Sequence, residues 1–324
     1  MLKIGLAGVG YLGSRHLKHL LEMDGIEVSG VWDTDPKALE TAVREFKAPA
    51  ASSLEDLFQR SDAIDLVTPT STHYEVGMRA VAAGKPLLVE KPICATYDEG
   101  AKLVEAADRA GLPIQVGHIE RFNRAFRALG QTRVKPRFIE AHRLAPWNPR
   151  GVDVAVVFDL MIHDLDLVLT LAGAEPGHVH ANGVGVVTKS VDIATARIEF
   201  PTGLVANVTA SRISLKKMRK LRLFGEREYI ALDLGKGTCE FVGGTLSGFP
   251  LPPDAEPLGD IQHQGLNLAL FRRFLPAPEG DALRLELESF RDAIVSGNPP
   301  QVSGADGLRA LALAERIVRE IQGR

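Results

Sequence analysis

Short apolar segments alternate with helix-start signals through the first 117 residues, and this alternation constrains the fold more than any other feature. Continuous apolar runs of four to seven residues favour strands that are buried on both faces of a parallel sheet. Such runs lie at 3–7, 27–32, 64–68, 86–90 and 113–117. Helix starts are indicated by Asp35-Pro36, Ser52-x-x-Glu55, Thr72-x-x-Glu75 and Thr96-x-x-Glu99. The repeated βα units predict an α/β fold with a doubly wound parallel sheet.

The pattern changes after residue 118. We predict helices at 121–129, 158–172, 281–296 and 305–322, and strands at 137–143, 178–187, 194–200, 205–211, 220–224 and 229–233. Strands spaced by about ten residues with turn signals between them favour an open, mostly antiparallel sheet. Residues 244–265 are rich in Gly, Pro and Asp and predict a long loop. We therefore expect two domains, 1–118 and 119–324, with the final helices able to pack back on the first.

The composition narrows the class of protein. A formal net charge of −3 gives no electrostatic reason to bind nucleic acid or an acidic membrane. Cys94 and Cys239 are too few for a disulfide framework and lack the spacing of metal ligands. The apolar run at 154–162 is interrupted by Asp159, and a membrane span needs about eighteen uninterrupted apolar residues. We expect a cytoplasmic protein with no metal, no nucleic-acid partner and no membrane partner.

Gly8-Val9-Gly10-Tyr11-Leu12-Gly13 follows the first predicted strand and opens a helix. In a Rossmann domain the first glycine allows a tight turn, the second lets the backbone approach a pyrophosphate, and the third allows close packing of helix on strand. The second strand ends at Asp33, whose carboxylate can accept hydrogen bonds from ribose hydroxyls and would repel a 2′-phosphate. The motif predicts NAD rather than NADP; the alternative is a glycine turn that binds no ligand.

Two further motifs carry groups suited to proton transfer. Glu90-Lys91-Pro92 ends the strand at 86–90, at the sheet edge where α/β enzymes bind ligands, although a lysine at a strand end is more often simply solvated. Asp159 and His163 are four residues apart, so they share one face of a helix. Histidine can accept a hydroxyl proton near neutral pH, and a carboxylate can orient it. The alternatives are a hydrogen-bonded core histidine or a metal site with Asp166, for which no matching ligand cluster exists.

A basic segment offers a place for phosphates. It contains five cations in seven positions, Lys216, Lys217, Arg219, Lys220 and Arg222. Such a cluster can hold a nucleotide diphosphate or an anionic neighbouring subunit, and a solvated loop and strand face is an equally good interpretation. Arg121 and Arg143 are further candidates for contacts with phosphate or sugar.

Taken in order, the glycine motif, Glu90-Lys91-Pro92, Asp159-x-x-x-His163 and the segment Thr68-Pro69-Thr70-Ser71-Thr72-His73 resemble the Gfo/Idh/MocA oxidoreductase family along nearly the whole chain. The resemblance implies a Rossmann domain, an open α/β domain whose sheet face supports a homodimer or homotetramer, and a cis peptide bond before Pro92. It places Lys91, Asp159 and His163 at the substrate, with His118 where the family commonly has an aromatic residue. The implied cofactor-binding residues are Gly8, Gly10, Tyr11, Leu12, Gly13, Asp33, Thr68, Pro69, Thr70, His73, Glu90 and Lys91.

Three segments are similar to a subgroup of UDP-N-acetylglucosamine 3-dehydrogenases that serve lipid A synthesis. They are residues 117–123, 159–164 and 211–220. This resemblance implies oxidation of the sugar 3-hydroxyl with NAD, substrate contacts from Lys91, His118, Arg121, Arg143, Asp159 and His163, and a partner transaminase that aminates the ketone. The alternatives are a dehydrogenase of a free sugar or cyclitol, and a protein that senses NAD or sugar without catalysis.

Overall fold

The chain divides into two compact units, each built from two separate segments. The structure is a computed structural model that describes residues 1–148, 154–263 and 265–323. Unit 1 comprises Met1–Ile119 with Asp281–Ala312, and unit 2 comprises Glu120–Gly280 with Leu313–Arg324. Within the described ranges, every helix is too short or too polar to cross a membrane.

Unit 1 contains the parallel sheet predicted from the apolar runs. Its strands are β1 (Leu2–Ala7), β2 (Ile26–Trp32), β3 (Ala63–Leu66), β4 (Leu87–Glu90) and β5 (Ile114–Gly117). They pair in the order β2-β1-β3-β4-β5, and each pair is parallel. Its helices are α1 (Gly13–Glu22), α2 (Pro36–Phe46), α3 (Leu54–Arg60), α4 (Thr70–Ala82), α5 (Tyr97–Ala110) and α8 (Ala282–Ser296). The doubly wound α/β prediction is confirmed.

Two of the four predicted helix starts are confirmed. The Asp35 side chain caps α2 with Pro36 in the first helical position, and Thr96 and Glu99 form a reciprocal capping box on α5. The other two are wrong. Ser53, not Ser52, caps α3 by accepting the N–H of Asp56. Thr72 lies inside α4, which begins at Thr70 directly after Pro69. A proline has a fixed φ and no N–H, so it suits the start of a helix.

The core of unit 1 recruits a helix from far along the chain. Ile4 and Leu6 of β1 pack with Leu17 and Leu20 of α1 in one buried cluster, which α8 completes. The members of that cluster from α8 are Leu283, Leu287 and Phe290. The contiguous N-terminal segment therefore does not contain all of its own core.

Unit 2 contains a large, mostly antiparallel sheet. Its strands are β6 (Phe138–Leu144), β7 (His178–Val184), β8 (Ile193–Glu199), β9 (Val205–Ser211), β10 (Met218–Phe224), β11 (Glu228–Asp233), β12 (Thr238–Leu246), β13 (Glu256–His263) and β14 (Leu266–Leu275). The order is β13-β14-β12-β11-β10-β6-β9-β8-β7, and among these described strands only β6 and β9 pair in parallel. The predicted open, mostly antiparallel sheet is confirmed.

Unit 2 contains helices of more than one type. They are α6 (Arg124–Ala128) and α7 (Ile162–Ala172), with 3-10 turns at Ile119–Phe122 and Leu129–Gln131 and a π-helical turn at Val157–Met161. The last helix, α9 (Gly304–Ile321), is divided between the two units. The helix predicted at 158–172 therefore begins with a π-helical turn rather than an α-helical one.

The loop predicted at 244–265 is wrong, and residue 264 of it lies outside the described residues. The segment instead completes β12 and supplies β13. β13 is an edge strand, where a missing N–H costs no ladder bond, so it tolerates Pro257 and a register shift at Gly259. Glycine and proline predicted a turn because an edge strand and a loop share that composition.

Candidate functional site

The three glycines after β1 have distinct spatial reasons for lacking a side chain. Gly8 has φ of +95°, and a Cβ there would lie 2.5 Å from the Val67 carbonyl oxygen. A Cβ on Gly13 would overlap the Gly8 carbonyl oxygen, whereas one on Gly10 would meet no atom within 4 Å. Gly8 and Gly13 are therefore required by the fold itself. Gly10 instead leaves open space beside the backbone, as close approach of a ligand requires.

The glycine turn opens onto a cleft in unit 1 of about 540 Å³, the size of many small-molecule sites. Its walls include Gly8, Gly10, Tyr11, Leu12, Gly13, Asp33, Thr68 and Pro69. α1 begins at Gly13, so its positive dipole end borders the cleft and favours an anion such as a pyrophosphate. These residues fit a dinucleotide. Of the predicted cofactor contacts, Thr70, His73, Glu90 and Lys91 do not line this cleft.

His73 joins two loops of unit 1 through its ring. Its Nε2 lies 2.8 Å from the Thr68 carbonyl oxygen, and its Nδ1 lies 3.0 Å from the Pro92 carbonyl oxygen. Burial lowers the pKa of His73, which favours the neutral ring with a single N–H to donate. The ring therefore donates to one of these two backbone carbonyls and only lies near the other. A direct contact between His73 and the cofactor stays a prediction.

Lys91 follows the end of β4, and the Lys91–Pro92 bond is cis as the resemblance implied. The lysine is partly exposed, whereas Glu90 before it is buried. The Glu90 carboxylate accepts the Lys91 backbone N–H at 3.1 Å. The same carboxylate lies 3.2 Å from Nε2 of His16, whose Nδ1 lies 2.9 Å from Asp65. His16 and Asp65 were not predicted from the sequence, although an aspartate within the apolar run at 64–68 indicates a buried polar group that needs a partner.

Asp159 and His163 of unit 2 lie on either side of a change in helix type. Asp159 is in the π-helical turn, and His163 is the second residue of α7. Both side chains are half-buried, so they are neither fully solvated nor part of the core. Turns of the π type within helices are frequent at functional sites. Their predicted catalytic role remains a prediction.

Arg121 and Arg143 are buried within unit 2 and bonded to carboxylates. Arg121 donates two hydrogen bonds to Asp166, at 2.7 and 2.8 Å. Arg143 donates two to Asp164, both at 2.9 Å, and a third to Glu120. Burial would lower the pKa of Arg143, but Asp164 and Glu120 together raise it, so the guanidinium is charged. The bidentate pairs attach β6 and the segment after β5 to α7. A contact of either arginine with substrate stays a prediction.

The basic segment is only partly available to a ligand. Arg219 donates to Glu120 and Arg222 donates to Glu140, each at 3.2 Å. Lys216 and Lys217 are exposed. The two lysines are therefore the cations of this segment best placed to meet an anion from solution.

His118, in unit 1, is 1% exposed. Among the described residues, no group of three His, Cys, Asp or Glu side chains could hold a metal.

Comparison with known proteins gives consistent matches along the chain. Residues 2–118 match a model of an oxidoreductase family with an NAD-binding Rossmann fold, and residues 131–231 match a GFO/IDH/MocA C-terminal domain. A UDP-N-acetylglucosamine 3-dehydrogenase of Acidithiobacillus ferrooxidans is 35% identical, covering 98% of this chain and 96% of its own. Its solved structure superposes with a TM-score of 0.89 at 34% identity, covering 99% of this chain and 98% of its own. Inositol 2-dehydrogenase 2 of Saccharopolyspora erythraea is 27% identical, and the match covers 99% of this chain and 93% of that protein.

Proposed function

The chain belongs to the GFO/IDH/MocA family of NAD-binding oxidoreductases, and from that premise we propose that it oxidises the 3-hydroxyl of UDP-N-acetylglucosamine to a ketone. The observation that carries the proposal is the full-length similarity to a UDP-N-acetylglucosamine 3-dehydrogenase. The segments at 117–123, 159–164 and 211–220, which resemble that subgroup, support the same substrate.

Each proposed catalytic residue has a role that its side chain can perform. NAD, when bound, supplies the acceptor for the hydride that leaves the carbinol carbon. His163 accepts the hydroxyl proton, because an imidazole is the side chain best suited to this near neutral pH. Lys91 donates a hydrogen bond to the substrate oxygen and so stabilises the negative charge that develops on it. Asp159 orients His163. Exposed Lys216 and Lys217 contribute to holding the diphosphate.

The wider setting is proposed on the same resemblance. The enzyme acts in the cytoplasm as a homodimer or homotetramer, and its keto product passes to a transaminase on the way to lipid A. Light scattering coupled to size-exclusion chromatography measures the oligomeric state directly.

The test is a substrate comparison with purified protein. NADH formation is followed with UDP-N-acetylglucosamine, free N-acetylglucosamine and myo-inositol, with hydroxylamine present to trap the ketone as an oxime. We expect turnover of the nucleotide sugar and an oxime at the 3-position by mass spectrometry.

Turnover of inositol or free sugar alone would favour the second candidate, a cyclitol or free-sugar dehydrogenase. The 27% identity with an inositol 2-dehydrogenase supports that candidate. Binding of NAD and UDP-N-acetylglucosamine without any turnover would instead support a sensor.

A further inference from the structure

Three ionisable side chains meet in the interior of unit 1, and the proposed chemistry assigns no role to two of them, His16 and Asp65. His16 comes from α1, Asp65 from β3 and Glu90 from the end of β4. His16 and Asp65 are 0% exposed, and Glu90 is 9% exposed. Buried charges are costly unless they are paired, so such a cluster needs compensation or a function.

The contacts form a chain that runs from Asp65 on β3 through His16 on α1 to Glu90 and Lys91. Asp65 Oδ2 lies 2.9 Å from Nδ1 of His16, and Nε2 on the opposite side of the ring lies 3.2 Å from Glu90 Oε1. Glu90 Oε2 accepts the backbone N–H of Lys91 at 3.1 Å. Residues from three elements that are distant in sequence are therefore linked to the backbone N–H of Lys91 through Glu90.

Gly117 closes the other side of the Glu90 carboxylate. A Cβ on Gly117 would lie 2.9 Å from Glu90 Cδ and 3.0 Å from each carboxylate oxygen. Any side chain there would displace the carboxylate from its bond to Lys91. The position of the Glu90 head group is thus fixed from both β5 and α1.

The charges of the cluster favour a protonated His16. Burial would lower the pKa of His16, but Asp65 and then Glu90 outweigh burial and raise the pKa well above its usual value. Burial would raise the pKa of Glu90, but contact with His16 and the charge of Lys91 lower it. The imidazolium therefore keeps Glu90 ionised, and an ionised carboxylate is the stronger acceptor for the Lys91 N–H.

We propose that His16 is a positioning residue for Lys91: anchored by Asp65, it fixes the Glu90 carboxylate that accepts the Lys91 amide hydrogen. The Lys91 side chain then starts from a fixed backbone position when it meets the substrate oxygen. This inference rests on the proposed action of Lys91 in sugar oxidation. Since α1 also begins at the glycine turn, one helix both borders the cofactor cleft and orients the lysine.

The test uses two variants that disturb the Glu90 carboxylate from opposite sides. His16→Gln removes the charge but keeps a polar side chain, and Gly117→Ala displaces the carboxylate without touching His16. His19→Gln is the matched control, because His19 lies on the same helix and contacts a carboxylate, Asp281, outside the cluster. For each protein we measure kcat, the NAD dissociation constant and the amide resonance of Lys91 by NMR.

We expect kcat to fall about ten- to a hundred-fold in both cluster variants, as for a misplaced reacting group. The NAD dissociation constant stays at the wild-type value, and the Lys91 amide resonance moves upfield as its charged acceptor is lost. His19→Gln changes none of the three. Wild-type kcat with an unshifted Lys91 resonance in both cluster variants would overturn the inference. So would a loss of NAD affinity that accounts for all of the lost activity.

The resonance separates this inference from the proposed function. If the wild-type protein does not oxidise UDP-N-acetylglucosamine, the proposed function fails, whereas the Lys91 resonance still reports whether His16 acts on that peptide. If His16→Gln does not fold, Gly117→Ala and Asp65→Asn carry the test, and unshifted resonances in both would overturn it.

Discussion

Asp33 is held by the backbone around it. One carboxylate oxygen accepts the N–H of Val9 in the glycine turn, and the other accepts the N–H of Asp35, both at 2.8 Å. The carboxylate thereby shapes the turn and also lines the cleft beside it. The sequence predicted only that this carboxylate accepts hydrogen bonds from the ribose hydroxyls. Its bond to Val9 was not predicted, because 24 residues separate the partners.

Asp33→Asn should narrow the preference for NAD over NADP. Asparagine keeps one accepting oxygen for the turn but removes the charge that repels a 2′-phosphate. Titration with both dinucleotides gives the two dissociation constants, with Asp35→Asn as the control because Asp35 lines the same cleft. Tighter binding of NADP than of NAD by the wild-type protein would contradict the role of Asp33.

Lys91→Ala and His163→Ala should each lower turnover by roughly a hundred- to ten-thousand-fold, the usual value of acid–base assistance. The NAD dissociation constant should remain near wild type. Asp159→Asn should lower turnover less than His163→Ala does, since the role of Asp159 is to orient His163. Full activity of His163→Ala across the pH range would show that another group accepts the proton.

His16 should make stability depend on pH. Its pKa in the folded protein is raised above the unfolded value of about 6.5, so its contribution is complete below that pH. The contribution is lost as the pH rises through the raised folded pKa. The free energy of unfolding of wild type minus that of His16→Gln, from urea titrations, should therefore be largest near pH 6 and decline in alkaline buffer. A difference that grows with pH would contradict the assigned charge.

At the scale of elements, local signals predicted more than distant ones. The capping residues Asp35 and Thr96 act on N–H groups two or three residues away, so sequence alone identified them. The five strands of unit 1 were equally visible, because their largely buried positions leave mostly apolar runs, although β2 includes the exposed Glu27. Glu120, Asp164 and Arg143 were not predicted as a cluster, since their contacts join the segment after β5, α7 and β6.

A substitution of Arg143 tests whether this residue contacts the substrate or stabilises the fold. Arg143→Met leaves Asp164 buried without the guanidinium that binds it and leaves Glu120 with Arg219 alone, which should cost about 3–5 kcal/mol in the free energy of unfolding. Arg222→Met is the control, because Arg222 pairs with Glu140 where both are partly exposed and should cost about 0–1 kcal/mol. An Arg143→Met protein with wild-type stability but weakened UDP binding would favour direct contact with substrate instead.

For the whole molecule, the important fact is that each unit is assembled from two segments. The sequence predicted the parallel sheet and six strands of the second sheet, but not β12, β13 and β14. It predicted the final helices at 281–296 and 305–322 within one residue of α8 and α9. It allowed the final helices to pack back on the first domain but did not decide the point, because apolar residues at helical spacing show that a face is buried but not against what.

Phe290→Ala should show how much unit 1 depends on α8. Phe290 is 0% exposed within the core that includes β1 and α1, and truncating a buried phenylalanine costs about 3–5 kcal/mol. Val295→Ala on the same helix is the control, because Val295 is 73% exposed. Urea unfolding followed by circular dichroism measures both. Equal midpoints for the two variants would show that α8 contributes little.

α8 is translated long after the rest of the unit 1 core, and this delay affects folding during synthesis. When residue 119 leaves the ribosome, the parallel sheet of unit 1 still lacks Leu283, Leu287 and Phe290. At about 5–20 residues per second, translation of the intervening chain takes roughly 10–30 seconds. Throughout that interval the nascent sheet presents an apolar surface without its cover. Chaperone occupancy on translating ribosomes should therefore persist until α8 emerges.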